Sequence, residues 1–193
     1  MAAHPILSLE IIVFSSTRYV SPFLALVLCA TAAALPAATA RAQPVPVPGL
    51  YCDEDKEFYG REGYTYTKLQ ACLLVEERSA RAVLTTSETQ YWQSGFWYYA
   101  GGGTTATWDA SGNVTPEGAS PVVWDIREVI QDRAAATGES ASITPFCGRA
   151  TMTYKFHMYG PRWYDEAYEI DPRPRSFNLN VPCLPTGNTA GRK

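Results

Sequence analysis

Histidine is nearly missing from this chain: of its two histidines, only His157 lies outside the first few residues. A serine or cysteine hydrolase needs an imidazole beside its nucleophile. No serine here stands in a G-x-S-x-G turn, and no cysteine has a protease context. His157 is the one imidazole candidate, and a surface or partly packed histidine explains it as well. Gly101-Gly102-Gly103 lacks the Lys-Ser/Thr that completes a phosphate loop, so it reads as a flexible turn. No two cysteines are spaced C-x2-C, and His157 alone cannot complete a zinc site, so neither metal nor cofactor is expected. Basic residues are scattered apart from Arg173 and Arg175, and the net charge is −3, which argues against a nucleic-acid partner. Long apolar runs are missing too. A membrane helix needs about 20 strongly apolar residues, whereas the run over 22–35 trails into Ala and Thr and meets Pro36.

What the first residues do contain is Arg18, an apolar run and the small-residue exit Ala40-Arg41-Ala42, the layout of a secretory signal peptide cleaved before Gln43. Residues 1–18 exceed a usual charged leader, so either the start lies downstream or the first apolar stretch is tolerated. Cys29 sits inside the run behind bulky Leu28, the wrong context for a lipid anchor. The expected organisation is a signal over 1–42, a proline-rich tether over 43–49, one β-rich domain over 50–183 and a loose tail over 184–193. The tether reads Q-P-V-P-V-P-G, which forces an extended backbone and excludes a helix. A secreted, extracellular location follows, with no stable membrane insertion once the leader is removed.

An exported domain folds under oxidising conditions, and Cys52, Cys72, Cys147 and Cys183 are an even set. Four cysteines allow three connectivities; the sequence-local one, Cys52–Cys72 with Cys147–Cys183, is preferred. Each bond would contribute roughly 3–4 kcal/mol by restricting the unfolded chain.

The texture of the domain is β. Aromatic and β-branched residues alternate over 64–67, 81–86, 91–100, 104–108, 150–159, 163–170 and 177–181. In 150–159 Met152, Tyr154, Phe156 and Met158 fall on one face, with Thr151, Thr153, Lys155 and His157 on the other. Turn formers separate the segments, including a turn centred on Ser111-Gly112. The oxygens at Asp109, Ser111, Asn113, Thr115 and Glu117 have calcium-loop spacing, but Val114 replaces the required glycine and Ser120 the closing glutamate. Asn113-Val114-Thr115 is also a formal glycosylation sequon. One short helix is predicted over 126–136, capped by Asp125, with Ile126, Val129, Ile130 and Arg133 at helical spacing and Gly138 as a stop. A hairpin turn is preferred at 76–79 over a helix through 71–84. The expected fold is mainly β, an antiparallel sandwich or barrel with that helix and two disulfides. Trp97 and Trp124 are candidates for an immunoglobulin-type core tryptophan, which nothing in the spacing establishes.

Aromatic density is the most unusual feature. All five tryptophans follow Gln43, and Tyr91-Trp92 and Phe96-Trp97-Tyr98-Tyr99 crowd into nine positions. On a strand Trp97 and Tyr99 cannot share a face with Phe96 and Tyr98. Either both faces are core, or one set is left toward solvent beside Gln90, Gln93 and Ser94 to stack on sugars or grip a protein. Three functions compete. The first is a binding module for polysaccharide or cell envelope using Trp92, Trp97, Tyr99 and Trp108. The second is an extracellular protein-interaction domain such as a protease inhibitor. The third is a glycoside hydrolase with paired carboxylates from Asp165, Glu166 and Glu169, or from Asp53-Glu54-Asp55.

Overall fold

The computed structural model describes residues 44–161 and 166–185. The expected signal over 1–42, the tail beyond 185, and Trp163 and Asp165 lie outside the described residues. The strands, in chain order, are β1 (Gly49–Cys52), β2 (Lys56–Tyr59), β3 (Thr65–Val75), β4 (Ala80–Gln93), β5 (Phe96–Tyr99), β6 (Ala106–Pro116), β7 (Val122–Gln131), β8 (Ala136–Glu139), β9 (Gly148–Tyr159) and β10 (Ile170–Val181). They form two antiparallel sheets. In the first, β3 and β4 are central, β1 and β2 pair along β3, and β5 and β8 pair along β4; the second runs β10-β9-β6-β7.

Period-2 patterning explains why these sheets meet. Strand β9 buries Met152, Tyr154, Phe156 and Met158 completely, as its alternation predicts. From the first sheet, Leu69, Ala71, Leu73 and Val75 of β3 and Ala80, Ala82 and Leu84 of β4 join them in one core cluster. Phe58 and Trp108 both pack on Phe156, with ring centroids 5.4 and 5.5 Å apart. Each large side chain fully buried in this way contributes about 1.5–3 kcal/mol. Polar groups also cross between the sheets. Gln131 Oε1 accepts hydrogen bonds from Thr86 Oγ1 (2.6 Å) on β4 and Trp108 Nε1 (3.1 Å) on β6.

The predicted helix over 126–136 is instead the second half of β7, to Gln131, followed by a bend over 132–135 and the first residue of β8. Asp109 stands opposite two residues, Arg127 and Glu128, because Trp108 pairs with Val129 and Ala110 with Ile126. Glu128 takes a left-handed φ of 50° in this bulge. The extra residue shifts the inward phase from Trp124 and Ile126 to Val129 and Gln131, producing the three-residue spacing that mimics a helix. Asp125 caps nothing and pairs with Arg127 on the exposed face. Among the described residues the helical content is one 3-10 turn, Glu166–Tyr168, inside the segment predicted as a strand over 163–170.

The predicted turn at Ser111-Gly112 is also corrected, since both residues lie within β6. Gly112 is there for clearance: a Cβ would sit 2.0 Å from the Thr153 carbonyl oxygen and 2.7 Å from the Trp124 ring. The hairpin at 76–79 forms as predicted, with Glu76 N–H donating to Ser79 O at 2.8 Å.

Cys52–Cys72 and Cys147–Cys183 are the two disulfides. The first joins directly opposed residues of β1 and β3; the second staples the start of β9 to the end of β10. Neither bridges the two sheets, so the immunoglobulin arrangement does not apply. The proline segment is extended, and it is docked. Pro46 is buried, Val47 N–H donates to Pro182 O (2.8 Å), and Leu184 N–H donates to Val45 O (2.7 Å).

Candidate aromatic binding face

The segment 91–100, expected as one strand, is a hairpin made by the end of β4 and β5. Ser94 and Gly95 both have positive φ, 51° and 88°. That is the two-residue turn whose twist matches paired strands. Strand β4 also contains a bulge, with Glu88 at φ 53°, so that Thr89 and Tyr91 turn inward while Gln90 and Trp92 turn outward.

Trp92 is directly opposite Trp97. The Trp92 N–H donates to Tyr64 O (2.8 Å) and its carbonyl accepts from Tyr168 Oη (2.7 Å). Its backbone groups therefore point away from β5, which makes Trp92–Trp97 a non-hydrogen-bonded pair with close side chains. The two rings meet edge to face at 5.7 Å and 64°, a contact worth about 0.5–1.5 kcal/mol beyond burial.

Register carries this face across the sheet. Tyr59 opposes Tyr66, Tyr66 opposes Gln90, and Gln90 opposes Tyr99. Opposed residues share a face, so Tyr59, Tyr66, Gln90 and Tyr99 form one row, with Trp92 and Trp97 beside it. Tyr59 and Tyr66 pack at 5.3 Å. Both phenols donate to Glu57, at 3.1 and 3.3 Å. The hydrogen bond to Glu57 raises the Tyr59 pKa, and partial desolvation raises that of Tyr66. Lys68 pairs with Glu88 at 2.8 Å, which raises the lysine's pKa. The border of the rings thus carries two carboxylates, Glu57 and Glu88, and one ammonium, Lys68. Phe96 and Tyr98 project to the opposite side, yet they too are solvent-facing: Phe96, Trp97, Tyr98 and Tyr99 are 66%, 42%, 47% and 61% exposed.

Trp108 does not belong to this surface. It is fully buried in the core and bonded to Gln131. Its place is taken by Tyr59 and Tyr66. The clue to Tyr59 was its i, i+2 relation to Glu57; the alternation at Tyr66 gave a strand but not its neighbours.

Among the described carboxylate candidates, Asp53, Glu54, Glu166 and Glu169 form ion pairs. His157 Nε2 lies 2.6 Å from Glu169 Oε1, and both side chains are largely buried. Arg61 contacts Glu166 (2.9 Å), Glu169 (3.2 Å) and Asp171 (2.7 Å). Its hydrogen bonds hold Asp171 below the ordinary carboxylate range. Asp53 and Glu54 flank Lys56 at 3.7 and 3.8 Å. This network packs the 3-10 turn against the sheets, and Tyr168 of that turn grips Trp92. Two surface depressions, of about 600 and 630 Å³, lie on the second sheet and include none of the aromatic-face residues.

Compared with known protein families, curated proteins and solved structures, the chain matches none.

Proposed function

We propose that this is a secreted binding module that holds a neutral, extended polysaccharide against the face formed by Tyr59, Tyr66, Gln90, Trp92, Trp97 and Tyr99. The shared solvent-facing side of these rings carries the proposal. Large exposed aromatic patches on a folded domain mark interaction surfaces, and flat rings beside amide and phenol hydrogen-bond groups suit the apolar face and hydroxyl edge of a sugar. Tyr66 and Tyr99 lie two strands apart, roughly 10 Å, a span that two sugar units of an extended chain would cover. Two carboxylates, Glu57 and Glu88, against the single ammonium of Lys68 leave this border negative, which favours an uncharged ligand over an anionic one. The two disulfides fit an oxidising compartment.

Affinity electrophoresis and tryptophan fluorescence against a panel of neutral and anionic soluble polysaccharides test this. Retardation by at least one neutral glycan, lost in Tyr99→Ala, is expected. Flat responses across the panel, or preference for the anionic polymers, would refute it.

A further inference from the structure

The aromatic hairpin ends in an open sheet edge. Among the described residues β5 pairs only with β4. Since Trp92–Trp97 is non-hydrogen-bonded within the hairpin, the alternation makes Gln90–Tyr99 the same. The N–H and C=O groups of Trp97 and Tyr99 therefore point outward from the sheet.

Other edges among the described residues are blunted, including β2, which pairs only with β3 and carries Lys56 and Glu57. Strand β10 carries Pro172 and Pro174 between charged residues, and β7 has the Glu128 bulge beside Asp125 and Arg127. Strand β8 lies along β7, and β1 lies along β10. The sequence Phe96-Trp97-Tyr98-Tyr99 has no charge, no proline and no bulge. An unguarded edge is a template for strand addition.

We infer that β5 is the docking edge for a second copy of this chain. Antiparallel addition of a strand to its own copy is self-complementary about a two-fold axis. With the axis at Tyr98, Trp97 of each copy meets Tyr99 of the other, and the outward donors and acceptors of both strands are used. Aromatic rings flank the junction on both faces, and no like charges meet across it. From the exposed fractions, the four rings offer on the order of 400 Å² per copy, about half of what a standard interface buries per partner. The dimer is accordingly weak and concentration-dependent. Dimerisation does not rest on the glycan proposal, although it would join the two aromatic faces into one platform.

Sedimentation equilibrium on the disulfide-intact protein, without carbohydrate, from about micromolar to millimolar concentration tests this. The expected result is a mass that doubles with concentration. Tyr99→Pro removes one outward donor without touching the β4–β5 ladder and is expected to stay monomeric, whereas Tyr99→Phe, which keeps the donor and the ring, dimerises. A monomer throughout, or equal dimerisation of the two variants, would overturn the inference. Should Tyr99→Pro fail to fold, amide exchange in the unaltered protein decides: protection of Trp97 and Tyr99 that grows with concentration supports the pairing, and concentration-independent exchange rejects it.

Discussion

Replacing Trp97 by Ala separates a surface platform from a core position. Trp97 keeps 42% of its surface exposed, so truncation removes on the order of 100 Å² of buried apolar area, roughly 2–3 kcal/mol as an upper figure. The edge contact with Trp92 is included in that range. The hairpin lies outside the main core cluster and can fray while both sheets persist, so part of the loss stays local. Guanidinium unfolding with the disulfides intact should therefore show a global loss of about 1–3 kcal/mol, below the roughly 3–5 kcal/mol typical of a fully buried tryptophan such as Trp108. Glycan affinity should fall tenfold or more in Trp97→Ala. Equal destabilisation by Trp97→Ala and Trp108→Ala, or unchanged glycan binding, would refute this reasoning.

Other perturbations address the frame. Gln131→Leu leaves Trp108 Nε1 without its acceptor while Thr86 Oγ1 keeps Ala136 O, so unfolding measurements should show a loss of about 1–3 kcal/mol; Trp108→Phe, which opens a cavity of its own, should cost less in that background than in the parent. Gly112→Ala drives a Cβ into the Thr153 carbonyl, and a drop in stability of roughly 3 kcal/mol or more, or failure to accumulate folded protein, is expected. Asp171 has a lowered pKa because Arg61 donates to it. Its contribution is present above the unfolded value of about 3.9 and disappears as pH falls through the folded value. The urea midpoint of Asp171→Asn should accordingly trail the parent at pH 7 and converge with it in acid; a pH-independent gap would contradict the ion-pair assignment.

Much of the frame was legible because it depends on local pattern. The alternation from Met152 to Met158 gave a strand, its buried face and its neighbours' polarity, and the short cysteine separations gave the correct pairing. The helix was misread where a single bulge residue, Glu128, turned a period of two into an apparent period of three. Gly112 shows the same limit: a glycine marks either a turn or a close approach, and only the opposing Thr153 carbonyl distinguishes them. The aromatic face was legible in part. Trp97 and Tyr99 follow from strand alternation, whereas Trp92 joins their side only through the turn at Ser94-Gly95, and Tyr59 and Tyr66 reach them through the register of four strands, which no local spacing encodes. Trp108 looked equivalent to Trp97 in sequence, and the difference lies in which sheet covers it.

The most direct test of the central claim is an NMR titration of the protein, ¹⁵N-labelled, with the neutral oligosaccharide that binds best. Shifts concentrated on the indole N–H groups of Trp92 and Trp97 and on the amides of Tyr59, Tyr66, Gln90 and Tyr99, with those of Trp108 and Trp124 still, are predicted. Saturable shifts confined to the second sheet, or none at all, would contradict it.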